Sequence, residues 1–136
     1  MTGDEMIAAA ARLLNSLGTS DLATLEELLH EQVVLDWPFA ARGMPTMFSG
    51  KRAVIDALAR IPDIFDQFEM TANALYPSES SATLTIEASS AGRFRSGGDY
   101  NNVYVLLLQF NGGKLALWRE YYDPRRVQFP DDPTII

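Results

Sequence analysis

The spacing of apolar residues changes near the middle of the chain, and this change limits the fold more than any other feature. Up to Phe65, apolar residues recur at every third or fourth position, which is the spacing of one helix face. From Gln67 onward they alternate with polar residues over most segments, as on a strand with one buried side. Helices followed by strands predict an α+β fold in which helices pack on an antiparallel or mixed sheet.

The first half predicts two helices, a short strand and a third helix. We expect Gly18 to end the first helix. We expect His30 to end the second, because a cation there complements the helix dipole. Pro62 is expected to break or kink the third helix. The short strand covers residues 33–37, and the Gly- and Pro-containing residues 39–50 are predicted to form a loop.

The second half predicts four strands, over residues 67–76, 82–91, 100–111 and 114–123. Asn111-Gly112-Gly113 is typical of a tight hairpin, whereas Gly92 to Asp99 is expected to be a longer, mobile connection. Residues 124–136 are expected to form an irregular tail. Because the sequence has no repeat and no linker, we expect a single domain over residues 1–136.

The composition removes several kinds of chemistry. The chain has no cysteine and one histidine, so it can form no disulfide, thiolate nucleophile, iron–sulfur cluster or two-histidine metal site. We therefore expect no metal and no cofactor. The formal net charge of −7 argues against nucleic acid and anionic membranes as partners, since both bind protein surfaces rich in Lys and Arg. The acidic segment from Met1 to Glu5 lacks the basic start of a secretory signal, so we expect a cytoplasmic protein.

Three local motifs carry a resemblance to a known family. The first predicted strand ends in Asp36-Trp37-Pro38-Phe39, and Phe48-Ser49-Gly50-Lys51-Arg52-Ala53-Val54 opens the third helix. The third motif runs from Tyr100-Asn101-Asn102 to Trp118-Arg119-Glu120-Tyr121-Tyr122-Asp123-Pro124. Together they resemble the NTF2-like superfamily and, within it, the SnoaL-like polyketide cyclases. The third motif is also similar to limonene-type epoxide hydrolases and A/B-type phenazine-biosynthesis proteins. The resemblance implies a cone in which helices and a curved sheet enclose an apolar pocket, often with a homodimer on the outer sheet face.

The catalytic residues of these relatives carry over only in part. Glu120 matches one carboxylate of the epoxide hydrolase relay, but the matching Arg and second Asp positions hold Glu87 and Ser89. The helix histidine of the phenazine proteins has no counterpart between Ala53 and Ile61. The resemblance to SnoaL-type cyclases, which use a single acid/base residue, fits this chain best.

Glu120 is the main catalytic candidate. Strand alternation places it on one face with Trp118 and Tyr122, and places Leu115 on the other face. A carboxylate between two large aromatic side chains is desolvated, which raises its pKa toward neutrality and suits a general acid or base. In the epoxide hydrolases and phenazine proteins the matching carboxylate points into the pocket. The alternative is an ion pair between Glu120 and an Arg or Lys at the edge of the sheet.

Two further residues are assigned to catalysis. Asp36 interrupts an apolar run, so its charge either faces the pocket or lies exposed at the end of the strand. Tyr104 shares a strand face with Tyr100 and Asn102. A phenol near a carboxylate can donate to an oxyanion, and an aromatic pair across two strands is the alternative for Tyr104.

The other candidate residues are assigned to substrate binding. Glu87 lies on a polar strand face that is either solvated, the favoured interpretation, or a polar wall of the pocket. Met44 and Met47 lie in the predicted loop and suit a pliable lid. Aromatic side chains supply the lining that a small hydrophobic ligand needs. The predicted substrate-binding residues are Trp37, Phe39, Phe48, Trp118, Tyr122, Glu87 and Asn102.

These residues predict a small cofactor-free enzyme that binds a hydrophobic metabolite. Carboxylate acid/base catalysis would drive a cyclisation, isomerisation or dehydration. Two alternatives remain open: a non-catalytic small-molecule binding domain, and an epoxide hydrolase with a rearranged relay in which Asp36 and Glu120 hold one water. The outer sheet face predicts a homodimer through Leu115, Leu117, Tyr121, Val103, Val105 and Leu107.

Overall fold

The helices occupy the first half of the chain. The computed structural model describes residues 1–127. The helices are α1 (Gly3–Thr19), α2 (Leu22–Leu28), α3 (Lys51–Leu58) and α4 (Ile61–Ile64). α1 begins with a capping box, because the Thr2 hydroxyl accepts from the Glu5 N–H while the Glu5 carboxylate accepts from the Thr2 N–H. Within residues 1–127, no helix is long and apolar enough to cross a membrane.

Six strands form one open sheet. They are β1 (Leu29–Asp36), β2 (Met47–Ser49), β3 (Phe65–Ser78), β4 (Thr83–Phe94), β5 (Asp99–Asn111) and β6 (Lys114–Tyr122). Their order across the sheet is β2-β1-β6-β5-β4-β3. β1 and β6 are parallel, and the other neighbours are antiparallel. Helices packed on a mixed six-stranded sheet confirm the predicted α+β fold class.

The four predicted strands of the second half are present, and their ends differ from the prediction by at most three residues. Gly112 and Gly113 both have positive φ angles, 59° and 77°, as a tight hairpin turn requires. The predicted mobile connection from Gly92 to Asp99 is shorter than expected, because β4 continues to Phe94 and β5 starts at Asp99.

The boundaries predicted for the first half need correction. His30 does not end α2: it lies in β1, which begins at the buried Leu29. The predicted loop over residues 39–50 contains β2, which pairs with β1. Pro62 lies in the first turn of α4, where its missing N–H costs nothing. In the predicted irregular tail, residues 124–126 form a 3-10 helix, and residues 128–136 lie outside the described part of the chain.

α1 packs against β3 at Gly18. A Cβ atom built on Gly18 would lie 2.8 Å from the carbonyl oxygen of Phe68, so only glycine permits this close approach. The helix continues one residue beyond Gly18 and is capped by Ser20, whose φ of 55° is left-handed. Gly18 is therefore a packing residue, not the predicted helix stop.

A β-bulge in β6 sets the direction of its side chains. Leu117 pairs with Gln109 and Leu115 pairs with Phe110, so Ala116 is an extra residue on β6. Leu115 is therefore turned into the core, where it is fully buried. Its predicted place on the outer sheet face is wrong.

Candidate active site

A cavity of about 190 Å³ is bounded by the helices and the inner face of the sheet. Its wall takes side chains from α1, α3, α4, the segment after β1, and every strand except β2. Glu120 is the only charged side chain among the described residues that line it. A carboxylate in a largely apolar cavity is a common mark of a candidate catalytic site.

The last strand presents Glu120 to this cavity. Trp118, Glu120 and Tyr122 line it together, so the part of β6 beyond the bulge alternates as the sequence predicts. Glu120 is half-buried and lines the cavity. Burial raises the pKa of Glu120 to about 7, because the charged form loses its hydration there. The neighbouring Arg119 pairs with Asp36 instead.

Both tryptophans of the chain lie beside Glu120. The indole N–H groups of Trp37 and Trp118 lower the pKa of Glu120, opposing the larger effect of burial. Both indole nitrogens are buried, yet neither meets the geometry of a hydrogen bond with any acceptor in the described part of the protein. The contact between the indoles and the carboxylate is therefore a loose electrostatic one, longer or less well aligned than a full hydrogen bond.

Tyr104 also lines the cavity, but its hydroxyl is already engaged. It lies 2.8 Å from the Ser90 hydroxyl and 3.2 Å from the Tyr100 hydroxyl. Tyr104 also pairs with Tyr122 across β5 and β6, which is the cross-strand alternative considered above. Burial raises the pKa of Tyr100, Tyr104 and Tyr122, so all three remain protonated at neutral pH.

An aromatic cluster forms another part of the wall. The ring of Phe65 lies 4.9 Å from that of Phe94, 5.1 Å from that of Phe68 and 5.5 Å from that of Tyr100, measured between centroids. Phe94 and Tyr100 were not assigned to the site from the sequence. Phe94 falls in the segment that the sequence predicts to be a mobile connection, so the sequence assigns it to no strand face. Met44 of the predicted loop lines the cavity, whereas Met47 is exposed.

Asp36 lies outside the cavity. Its neighbours Leu35 and Trp37 both line the cavity, so the alternation of the strand turns Asp36 to the other side. There its carboxylate accepts a hydrogen bond from Arg119 Nε at 2.8 Å. The structure therefore does not bring Asp36 and Glu120 together around one water. Within residues 1–127, no three acidic or histidine side chains are grouped so as to hold a metal ion.

Four predicted binding residues also lie away from the cavity wall. Glu87 is exposed on the outer sheet face, opposite Val105. This agrees with the favoured interpretation, a solvated strand face. Phe39 is 54% exposed and packs edge-to-face on Tyr121. Phe48 packs edge-to-face on Trp37, with 5.3 Å between ring centroids, so it supports the wall from behind. The fourth, Asn102, is treated next.

Asn102 is a buried structural clamp. Its side-chain amide donates to the Tyr100 hydroxyl at 2.8 Å and to the Asp123 carbonyl at 3.1 Å. Its side-chain oxygen accepts from the N–H groups of Val103 and Asp123. All of its bonding groups are thus used within the protein, and it fixes the segment that follows Tyr122.

The comparisons with known proteins agree with this architecture. The chain is 28% identical over 109 residues to the uncharacterised protein YesE of Bacillus subtilis (strain 168), covering 79% of this chain and 74% of that one. A candidate isomerase from Bacillus subtilis has a similar structure, with a TM-score of 0.84, 24% identity and 93% of each chain covered.

Two more distant structures share the fold. An LEH-like epoxide hydrolase from M. tuberculosis has a TM-score of 0.73 and 21% identity, over 90% of this chain and 86% of that one. A phenazine biosynthesis-related protein from Pseudomonas aeruginosa has a TM-score of 0.79 and 16% identity, over 91% and 82%.

At sequence level, the profile of the SnoaL-like domain matches residues 10–118, which is most of the chain. This range includes the second half of α1, both tryptophans and the start of the cavity-lining part of β6. The chain therefore belongs to the SnoaL-like domain family of the NTF2-like superfamily.

Proposed function

We propose that this protein is a cofactor-free enzyme of the isomerase, cyclase or lyase type, in which Glu120 moves a proton on a hydrophobic metabolite. The observation that supports the proposal most is the position of Glu120, which among residues 1–127 is the one charged group on an otherwise uncharged and largely apolar wall. With a pKa of about 7, its carboxyl group is partly ionised at neutral pH. Such a group can accept a proton in one step and return it in the next.

The cavity limits the size and charge of the proposed ligand. A cavity of about 150 Å³ lined by apolar side chains can hold benzene, so about 190 Å³ suits one ring with a few further atoms. The clustered rings of Phe65, Phe94 and Tyr100 offer flat apolar surfaces to such a ring. An anionic ligand would be repelled by ionised Glu120, so we propose a neutral one.

The named relatives agree with this reaction type in general terms, since one is a candidate isomerase and another an LEH-like epoxide hydrolase. Hydrolysis of an epoxide by two carboxylates and one water is not favoured for this chain. Asp36, the second carboxylate considered, is tied to Arg119 outside the cavity.

Proton transfer by Glu120 can be tested before the natural substrate is known. Neutral one-ring compounds with acidic C–H bonds are incubated with the protein in deuterated water, and deuterium uptake is measured by mass spectrometry. We expect acceleration that increases as the pH rises through about 7, because the base is the ionised form. Glu120→Gln should lower the rate by a factor of about 10² to 10⁴.

The matched control is Glu87→Gln, which makes the same chemical change at an exposed position on the outer sheet face. It should leave the exchange rate unchanged. Equal rates for the wild type and Glu120→Gln, on a compound that the wild type turns over, would remove Glu120 from the mechanism.

A non-catalytic binding domain is the second candidate function. It is favoured by the lack of a second carboxylate beside Glu120 in the described lining and by the engaged hydroxyl of Tyr104. It predicts that compounds of the panel bind measurably while none exchanges hydrogen. It also predicts that Glu120→Gln changes the affinity for these compounds.

We also propose that the outer sheet face forms a homodimer. Val103 and Val105 are 47% and 43% exposed there, and with Tyr121 they line a shallow depression on that face. Exposed apolar side chains grouped on one sheet face commonly mark a contact surface. A monomeric mass at micromolar concentration in light scattering would exclude a stable dimer.

A further inference from the structure

The strongest unexplained feature of the site is the pair of indole N–H groups beside Glu120. An indole N–H is a donor with no acceptor capacity, and a buried donor without a partner is rare and costly in a folded protein. Both nitrogen atoms of this pair are buried and unbonded. Two such donors at one carboxylate require an explanation that apolar packing does not provide.

The backbone explains why the two indoles meet. β1 and β6 run parallel, with Leu35 opposite Trp118. In an extended segment, residues two positions apart point to the same side. Trp37 therefore shares a side with Leu35, and Glu120 shares a side with Trp118. Each of them lines the cavity. The donors thus come from β6 and from the residue that follows β1, and they approach one acceptor.

We infer that Trp37 and Trp118 are positioning residues for Glu120: their indole N–H groups stabilise its ionised carboxylate against the effect of burial and orient it toward the ligand. This inference rests on the proposed function and deepens it, because it names the groups that lower the pH at which Glu120 exchanges a proton. Hydrogen bonds at catalytic groups are often long in the unliganded state and shorten when the site is loaded or charged. The loose contacts seen here are of that kind.

The other groups that face the carboxylate are neutral. They are the phenols of Tyr100 and Tyr104 on β5 and of Tyr122 on β6, while the described lining from α1, α3, α4, β3 and β4 is apolar. No lysine or arginine lines this cavity within residues 1–127. The indole pair therefore provides the main stabilisation that the protein itself offers to a charged Glu120.

The chain offers a direct test because it contains only two tryptophans, so its nitrogen-15 spectrum has two indole resonances. Both are recorded from pH 5 to 9 in the unliganded protein. We expect both N–H signals to move downfield together as Glu120 ionises, with one shared midpoint, and to stop moving in Glu120→Gln. His30→Gln, which removes the single histidine of the chain, is the control, and it should leave both titrations unchanged.

Removing one donor should move the midpoint. Each of the variants Trp118→Phe and Trp37→Phe keeps one tryptophan and therefore one indole signal. The midpoint of that signal should lie about one pH unit higher than in the wild type, since a donor to a charged group is lost. A purely packing role would change the unfolding temperature of these variants and leave the midpoint in place. Two variants are used so that poor folding of one does not decide the question.

The outcomes separate this inference from the proposed function. Indole signals that do not titrate, or midpoints that stay fixed in both phenylalanine variants, would overturn the inference even if Glu120 proved essential for turnover. If the signals titrate as expected while no compound exchanges hydrogen, the positioning of Glu120 stands and the proposed enzymatic function fails.

Discussion

The buried position of Glu120 should make the protein less stable than it would be without that charge. The pKa of Glu120 is raised from an ordinary 4.5 to about 7, so folding favours the protonated form. Below pH 4.5 the side chain is protonated in both the folded and the unfolded states, and the penalty is absent. Between pH 4.5 and 7 the unfolded chain ionises while the folded chain does not, so the free energy of unfolding falls as the pH rises.

The size of this penalty follows from the two pKa values. At about 1.4 kcal/mol for each pH unit, the interval from 4.5 to about 7 corresponds to about 3 kcal/mol above pH 7. Glu120→Gln keeps the shape of the side chain and removes the charge. We therefore expect Glu120→Gln to match the wild type at pH 4 and to exceed its free energy of unfolding by about 3 kcal/mol at pH 8.

The measurement is urea unfolding of both proteins at pH values from 4 to 8, with Glu87→Gln as the exposed control. The control should show less than about 0.5 kcal/mol of pH-dependent difference. A difference between wild type and Glu120→Gln that stays constant across this range would refute the reasoning, because burial of the charge would then not be what distinguishes them. The expected result couples the two roles of Glu120, since the variant that loses turnover gains stability.

Three further predictions concern residues around the site. Asp36→Asn should lower the free energy of unfolding by less than about 1 kcal/mol, and by less again at high salt, because the ion pair between Asp36 and Arg119 is partly exposed. Chemical unfolding at two salt concentrations measures this difference. Asn102→Ala should lower the free energy of unfolding by about 2–3 kcal/mol, since it removes the side-chain hydrogen bonds to both backbone groups of Asp123 and to the buried Tyr100 hydroxyl, and thermal unfolding measures it. Val105→Lys should dissociate the proposed dimer, as seen by sedimentation, without lowering the unfolding temperature of the monomer.

The strands of the second half could be predicted because their patterns are local. Alternation along β5 and the Asn111-Gly112-Gly113 turn identify the bounds of β5 and β6 to within one residue, and alternation along β4 identifies its bounds to within three. The failures come from pairing between distant segments. β1 starts before His30 because Leu29 pairs with Leu115 from the far end of the chain, and this tertiary pairing overrides the local helical pattern.

The site was predictable where alternation along one strand was enough. Trp118, Glu120 and Tyr122 follow from that rule, and all three line the cavity. The direction of Asp36 could not be derived, because a short strand of mostly apolar residues does not reveal which side is inside. The direction of the Leu115 side chain could not be predicted, because an alanine in a strand does not indicate a β-bulge such as the one at Ala116.

The parallel seam between β1 and β6 also determines what an optical folding experiment on this protein observes. Leu35 and Trp118 pair across that seam, and the segments involved are separated by more than eighty positions in the chain, as in the 83-residue separation of Asp36 and Arg119. Contacts between such distant segments carry a high loop-closure cost and slow the rate of folding. Because both tryptophans lie at this seam, intrinsic fluorescence reports when the two ends of the chain join, whereas far-ultraviolet circular dichroism reports the helices and the hairpins. A lag of fluorescence behind circular dichroism during refolding would time the assembly of the cavity that Glu120 lines.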